Sequence, residues 1–328
     1  MSIKETVELC DFSQESDGLD RLPNYNVQSV FQLSHFPQCS CSWTKQSNKR
    51  LCSKALTSCP NAQSWLSYAK IPRQTATSYL NFLNTPAEST FLKHTSHQIS
   101  IDLPRTFPKN AYFCKGKGKE ALGRVLYAFA NFNPQVGYVQ GINFITAALL
   151  WHSTEVDAFW LLVSLMEDYG LKENYLPCMP GLGKHVHVVE YLVLHHMPDL
   201  YKHLLNYNIS VQMFANDWCL TLFACIVPYR SMKCIFDCFF KYSWSFFYKL
   251  VLTILNKFKK QILRAQDIVD IISSLKPYKL SRSYWRTLLT LIEKHKVSIN
   301  WKKLCKKALN QTIDEQFIIC LFYNYSCE

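Results

Sequence analysis

Glycine is scarce in this chain, 9 residues in 328, and only 24 Asp and Glu stand against 36 Lys and Arg. So little glycine excludes a collagen-like repeat or a glycine-rich linker array. Long apolar runs are missing too: residues 218–227 stop at Pro228, and residues 246–255 are interrupted by Lys249. Neither approaches the roughly 20 apolar residues that a spanning helix requires. After Met1 come Ser2, Ile3, Lys4 and Glu5, with no basic start, apolar stretch or small-residue cleavage site. A secretory leader is therefore not expected, the 14 cysteines read as reduced thiols, and the chain is expected to be soluble and cytoplasmic. No Asn-Gly or Asp-Gly pair separates two alternating apolar runs, so β-hairpins are not expected either.

Self-contained enzyme signatures are also lacking. There is no P-loop, Gly-x-Gly-x-x-Gly, Gly-x-Ser-x-Gly or His-Glu-x-x-His. Lys115, Gly116, Lys117, Gly118 and Lys119 have neither the spacing nor the closing hydroxyl of a phosphate cradle and read as a solvated basic turn. His185 and His187 are two apart in an expected helix and so face different ways; His195 and His196 are no better placed as ligands. Cys39, Cys41, Cys52 and Cys59 start with a one-residue gap, tighter than a zinc knuckle, and read as free thiols.

What is present is apolar and aromatic: 48% hydrophobic and 14% aromatic residues in 38.2 kDa, enough to bury a substantial core. Residues 1–60 lack sustained periodicity and read as a poorly ordered leader. From Ala62 the pattern turns helical, with Trp65, Tyr68 and Ala69 on one stripe. A break at Ile71 and Pro72 precedes a helix through Tyr79, Leu80 and Leu83. Leu122, Val125, Leu126, Phe129 and Ala130 place another at 119–132. Further helices are expected at 141–151, 155–168, 184–195, 198–206, 210–226, 231–240, 245–261, 265–274, 281–295 and 299–309. The fold class is all-α, with many short packed helices.

Charge is unevenly placed. Residues 241–310 hold 16 Lys or Arg and 3 Asp or Glu, which accounts for the whole +12 excess. Lys257, Lys259, Lys260, Lys302, Lys303, Lys306 and Lys307 alternate with apolar residues, as on the wet faces of packed helices. Such faces serve solubility, and they also attract anionic headgroups or an acidic partner. No zinc-finger, basic-zipper or RNA-binding pattern accompanies them, so no nucleic-acid partner is expected.

Two segments put a polar group inside an apolar frame flanked by backbone breakers. In Ile99–Pro108, Pro104 and Pro108 bracket Arg105, and Leu103, preceding a proline, is pushed away from α geometry. Arg105 thus sits on a stiffened loop, where Asp102 can accept a guanidinium bond or cap the following turn. In Val136–Phe144, Gly137 and Gly141 permit unusual backbone angles on either side of Gln140, just before a helix. Singly, the first reads as a structural ion pair and the second as a helix cap.

Together they resemble the TBC domain, the module of GTPase-activating proteins for Rab-type small GTPases. Its Ile-x-x-Asp-x-x-Arg motif is matched by Ile99, Asp102 and Arg105, followed by Thr106, and its Tyr-x-Gln motif by Tyr138, Val139 and Gln140. Similar stretches continue in Gly141, Ile142, Asn143 and Phe144, in Ala158, Phe159 and Trp160, and at Gln212, Phe214, Trp218, Pro228 and Asp237. Departures occur at Lys70 for a glycine, at Thr75 and Ala76, at Phe236 for a tryptophan, and after Asp237, where a Glu-Gly pair is absent. The resemblance implies a domain over residues 61–276, followed by a basic helical extension over 277–328 that can pack on it.

The resemblance further implies that the chain stimulates GTP hydrolysis by a Rab-type GTPase in its GTP form, regulating vesicle traffic. Arg105 would be an arginine finger and Gln140 would orient the attacking water. Asp102, Tyr138 and Asn143 would support them. GTP and Mg²⁺ would be held by the partner, leaving this chain no cofactor or metal of its own and no self-contained active site. The rivals are a TBC-fold binding module without catalysis and an adaptor that docks on membranes, peripheral to endomembranes, through its basic helices.

Overall fold

The computed structural model describes residues 64–69, 76–85, 90–114, 116–275 and 301–323. The leader with its four early cysteines, the break at Ile71 and Pro72, and the helix expected at 281–295 lie outside the described residues. Among those described, every regular element is helical, as the apolar periodicity requires. In chain order the α-helices are α1 (Ala76–Leu83), α2 (Thr90–Asp102), α3 (Ala111–Cys114), α4 (Lys117–Phe132), α5 (Ile142–His152) and α6 (Glu155–Glu167). There follow α7 (Pro180–His196), α8 (Pro198–Asn206), α9 (Gln212–Thr221), α10 (Met232–Arg264), α11 (Ile268–Leu275), α12 (Trp301–Leu309) and α13 (Glu315–Tyr323). Short 3-10 turns occupy Leu103–Arg105, Leu171–Asn174 and Tyr229–Ser231.

Helix α4 is the hub. It packs on α1, α2, α3, α5 and α6, and Leu122, Val125, Leu126, Ala128, Phe129 and Ala130 are buried on nearly every side. A helix apolar all round must lie at the centre of its neighbours. An ion pair enters this centre: Arg124 of α4 donates from Nε and Nη2 to the two oxygens of Glu155, at 2.7 and 2.6 Å, and Tyr79 of α1 donates to Glu155 Oε1 at 2.6 Å. This buried pair ties α1, α4 and α6, and its matched geometry is what offsets the desolvation of both ions. Glu155 also opens α6, where Thr154 caps by accepting from the Asp157 N–H at 3.1 Å.

Several expected boundaries move for identifiable reasons. The helix read at 210–226 ends at Thr221, because Leu222 and Phe223 both turn left-handed, φ 46° and 65°. The one at 184–195 begins earlier, at Pro180, whose missing N–H costs nothing in a first turn. Residues 117–119 open α4 instead of forming a solvated turn, with Gly116 as N-cap. Only 64–66 are helical in the first stripe: Trp65 is buried, donating from Nε1 to Asp237 at 2.9 Å, while Tyr68 is exposed. The expected break between 240 and 245 falls at Ser243, whose φ of 52° and ψ of −144° kink α10.

Three helices escape the sequence pattern: α2, the single turn α3 and α13. The stretch Ile99–Asp102, read as part of a loop, is the last turn of α2. Leu103, expected to be extended before Pro104, instead opens the 3-10 turn, with Pro104 in its first turn. The basic helix α12 packs along α10, burying Leu304, Cys305 and Ala308 and leaving Lys302, Lys306 and Lys307 exposed. Helix α13 packs on α7. Among the described residues no helix is long and apolar enough to cross a membrane.

Candidate functional site

The site grows out of the C-terminus of α2. Its last residue, Asp102, is buried, 2% exposed, while Arg105, three residues on, has a side chain 50% exposed. The 3-10 turn between them brings the guanidinium back over the carboxylate: Arg105 Nε donates to Asp102 Oδ1 at 2.6 Å, and Nη2 closes on the same oxygen. Asp102 therefore holds Arg105 and does not cap the turn, for which no side-chain cap bond forms. The loop itself is pinned on both sides of Arg105. Leu103 packs against α4 at Gly123, and Phe107, left-handed at φ 46°, sets its ring against Phe113, Phe144 and Tyr229.

The second loop, Asn133–Gly141, leaves the end of α4 and returns to the first. Asn133 starts it by accepting the Val136 N–H and donating to Glu167 at 2.8 Å. Gly137 turns at φ 58°, after which Tyr138 donates its hydroxyl to Asp102 Oδ2 at 2.5 Å. Burial, then that bond to a carboxylate, pushes the Tyr138 hydroxyl well above its usual range, so it remains a donor. Gly141 needs to be glycine twice over: its φ is 119°, and an added Cβ would lie 3.1 Å from the Leu220 carbonyl of α9. Gln140, immediately before it, is exposed.

A second tie runs beneath the first. The Asp102 carbonyl accepts from the Thr106 hydroxyl at 2.8 Å, the same hydroxyl accepts from Asn143 Nδ2 at 2.7 Å, and Asn143 Oδ1 accepts the Gly141 N–H at 3.0 Å. Asn143 is fully buried, and each of these polar atoms is satisfied by another in the chain. The loops carrying the exposed Arg105 and Gln140 are thus cross-linked at two points. All five residues singled out in the sequence fall in this one assembly. Thr106, which makes the second tie, was legible only as the residue after Arg105.

Other polar candidates lie elsewhere. His185 stacks on Trp244 with ring centroids 3.5 Å apart and shares a 2.7 Å hydrogen bond with Tyr248, and burial holds its imidazole down to about 3. It is a neutral core histidine. Among the described residues no group of three or more His, Cys, Asp or Glu is arranged to hold a metal ion.

With both loops in view, comparison with known proteins is decisive for the family. The family model described as Rab-GTPase-TBC domain matches residues 61–263. This chain belongs to that family.

The TBC domain seen here is similar to curated proteins over about half of the whole chain. It is 39% identical over 167 residues to the Rab GTPase-activating protein eat-17 of Caenorhabditis elegans, covering 51% of this chain and 19% of that protein. It is 36% identical over 191 residues to TBC1 domain family member 1 of Homo sapiens, covering 57% of this chain and 16% of the relative. The matched segment is therefore a small part of these larger proteins. In fold it is similar to the Ypt/Rab-GAP domain of Gyp1p, with TM-score 0.56 and 21% identity over 76% of this chain and 80% of that one. A Chlamydomonas flagellar RabGAP TBC domain gives TM-score 0.60 and 20% identity over 89% and 86%.

Proposed function

We propose that this chain is a GTPase-activating module for a Rab-type small GTPase in its GTP form, to which it lends Arg105 and Gln140. The observation that carries the reading is the pair of exposed side chains on two loops locked together by Asp102–Tyr138 and Thr106–Asn143. Membership of the TBC family and similarity to Rab GTPase-activating proteins support it.

Hydrolysis of the γ-phosphate of GTP spreads negative charge over its oxygens, and a guanidinium placed against them opposes that charge. Arg105 has the planar fork for this, and in the free chain its exposed side chain leans on Asp102, which limits the freedom lost on docking. Gln140, with a donor and an acceptor on one amide, would orient the attacking water. Asp102 and Tyr138 position Arg105; Asn143 positions the backbone that follows Gln140. GTP and Mg²⁺ belong to the partner as its substrate and metal. The process served would be vesicle traffic.

The test is single-turnover GTP hydrolysis across a panel of Rab proteins. With the cognate Rab, an inserted arginine is worth about 10³ to 10⁵ in rate. Arg105→Lys keeps the charge without the fork and should fall back to near the intrinsic rate, as should Gln140→Ala. Full stimulation by Arg105→Lys would reject the finger assignment. A Rab that binds the wild-type chain yet hydrolyses GTP at its intrinsic rate would favour a silent binding module.

The exposed Lys302, Lys306 and Lys307 of α12 favour a second role beside the first, peripheral attachment of a cytoplasmic protein to anionic endomembranes. Co-sedimentation with phosphatidylserine vesicles should be clear at low salt and weaken at moderate salt. No lipid-dependent pelleting at low salt removes this role.

A further inference from the structure

Helix α9 ends beside the Gln140 loop, and the way it ends frees a backbone oxygen. In a continuing helix the Leu220 carbonyl would accept from the Ala224 N–H, four residues on. With Leu222 and Phe223 turned left-handed, the Ala224 N–H donates to the Thr221 carbonyl at 2.9 Å instead, and the Phe223 N–H to the Trp218 carbonyl at 3.2 Å. The Leu220 carbonyl takes its donor from outside the helix, the hydroxyl of Tyr175, 45 residues earlier in the chain. That side chain is only 3% exposed, and burial holds its hydroxyl far above the usual range, so it stays a donor.

The same carbonyl faces the Gln140 loop. A Cβ built on Gly141 would lie 3.1 Å from the Leu220 oxygen and 3.4 Å from the Leu220 Cβ, so the backbone of Gly141 rests directly on that of Leu220. Gly141 shares a peptide group with Gln140, and the N–H of that peptide donates to Asn143 Oδ1 at 3.0 Å. The backbone of Gln140 is thus steadied twice, by Asn143 and by the last turn of α9. The second support is only as firm as the Leu220 carbonyl. Tyr175, which holds that carbonyl, is itself fixed where the 3-10 turn Leu171–Asn174 ends, its N–H donating to the Lys172 carbonyl at 2.9 Å.

We propose that Tyr175 is a positioning residue for Gln140, acting through the Leu220 carbonyl and Gly141. The inference rests on the reading of Gln140 as the group that orients the attacking water. Without the Tyr175 hydroxyl, the Leu220 carbonyl loses this donor and the last turn of α9 is free to shift. Gly141 then loses the surface it lies on, and the Gln140 amide spends less time where the water must stand. The maximal rate falls, while the exposed surface that meets the Rab is unaltered. Arg105 keeps its own bond to Asp102.

The experiment is single-turnover GTP hydrolysis by the cognate Rab, with the full chain in excess and its concentration varied. Wild type, Tyr175→Phe and Tyr169→Phe are compared. Tyr169 is the control, because its hydroxyl also donates to a backbone carbonyl, that of Phe240 in α10, at 2.7 Å. The plateau rate of Tyr175→Phe should fall about 10-fold with an unchanged half-saturating concentration, since small misplacements of a reacting group cost up to about 10²-fold. A chain that merely folds less well behaves the other way: its half-saturating concentration rises and its plateau stays. Tyr169→Phe should keep the wild-type plateau. Gly141→Ala presses on the Leu220 carbonyl from the other side and should also lower the plateau. Amide exchange by NMR reads the same contact without a Rab: the Gly141 N–H should exchange faster in Tyr175→Phe, with the Leu126 N–H of α4 changed no more than in Tyr169→Phe.

An unchanged plateau in Tyr175→Phe or in Gly141→Ala would overturn the proposal. So would a fall of equal size in Tyr169→Phe, or a Gly141 N–H that exchanges no faster than in the wild type. A wild-type chain that stimulates no Rab of the panel would reject the reading of Gln140 itself, and the role of Tyr175 with it.

Discussion

Asp102 spends both carboxylate oxygens on the candidate site, one on Arg105 and one on Tyr138. An exposed arginine on a loop would otherwise sample many rotamers, and restricting them before docking is what such a carboxylate can contribute. Asp102→Asn keeps the shape and one acceptor but removes the charge. We expect stimulated hydrolysis by the cognate Rab to fall roughly 10-fold or more, by weakening a charge-assisted bond of about 1.5–3 kcal/mol, with Rab binding changed much less. Single-turnover rates against Rab concentration separate the two; an unchanged maximal rate would show that Arg105 needs no such support. The satisfied chain through Thr106, Asn143 and Gly141 acts on the backbone instead, which is why its residues are buried while those they carry are not.

At the scale of elements, the kink of α10 is the clearest local conflict between chain and conformation. Ser243 occupies φ 52°, ψ −144°, a region that suits glycine and strains an L-residue by about 1–3 kcal/mol. The kink lets Trp244 reach back, donating from Nε1 to the Tyr169 carbonyl at 2.8 Å and stacking on His185. Ser243→Gly should therefore stabilise the chain by about 1 kcal/mol, the strain relieved exceeding the added freedom of the unfolded glycine. Urea unfolding measures this directly, and a lower midpoint for Ser243→Gly would mean that the kink stores no strain. Elsewhere elements end where their residues permit. The prolines at Pro180 and Pro198 start helices, and the left-handed Leu222 and Phe223 stop one.

Across the whole molecule, two buried histidines couple the fold to pH. Burial lowers His152 to about 4 and His185 to about 3, against about 6.5 in the unfolded chain. Above pH 6.5 both states are neutral and the stability is intact. As pH falls below it the unfolded chain takes up protons that the folded one refuses, so stability is lost through pH 5 toward 4 and 3. Each histidine contributes up to about 1.4 kcal/mol per pH unit in that window. Urea midpoints between pH 7 and 5 should show the slope, and a His152→Gln, His185→Gln chain should flatten it; an unaltered slope would assign the effect to other groups. The helical class, most helix centres and the residues of both loops were legible in the sequence, because periodicity, proline and glycine act over a few neighbours. The helical end of α2 and the existence of α13 were not, since their weak patterns are decided by what they pack against. Nor could spacing show that Tyr138 would reach Asp102 across 36 residues, or that Asn143 would reach Thr106 across 37. Sequence determined which chemical groups this protein has and which short segments carry them. Only the tertiary structure decided which groups meet and which stay in water, because contacts between distant residues follow from the directions in which whole helices pack.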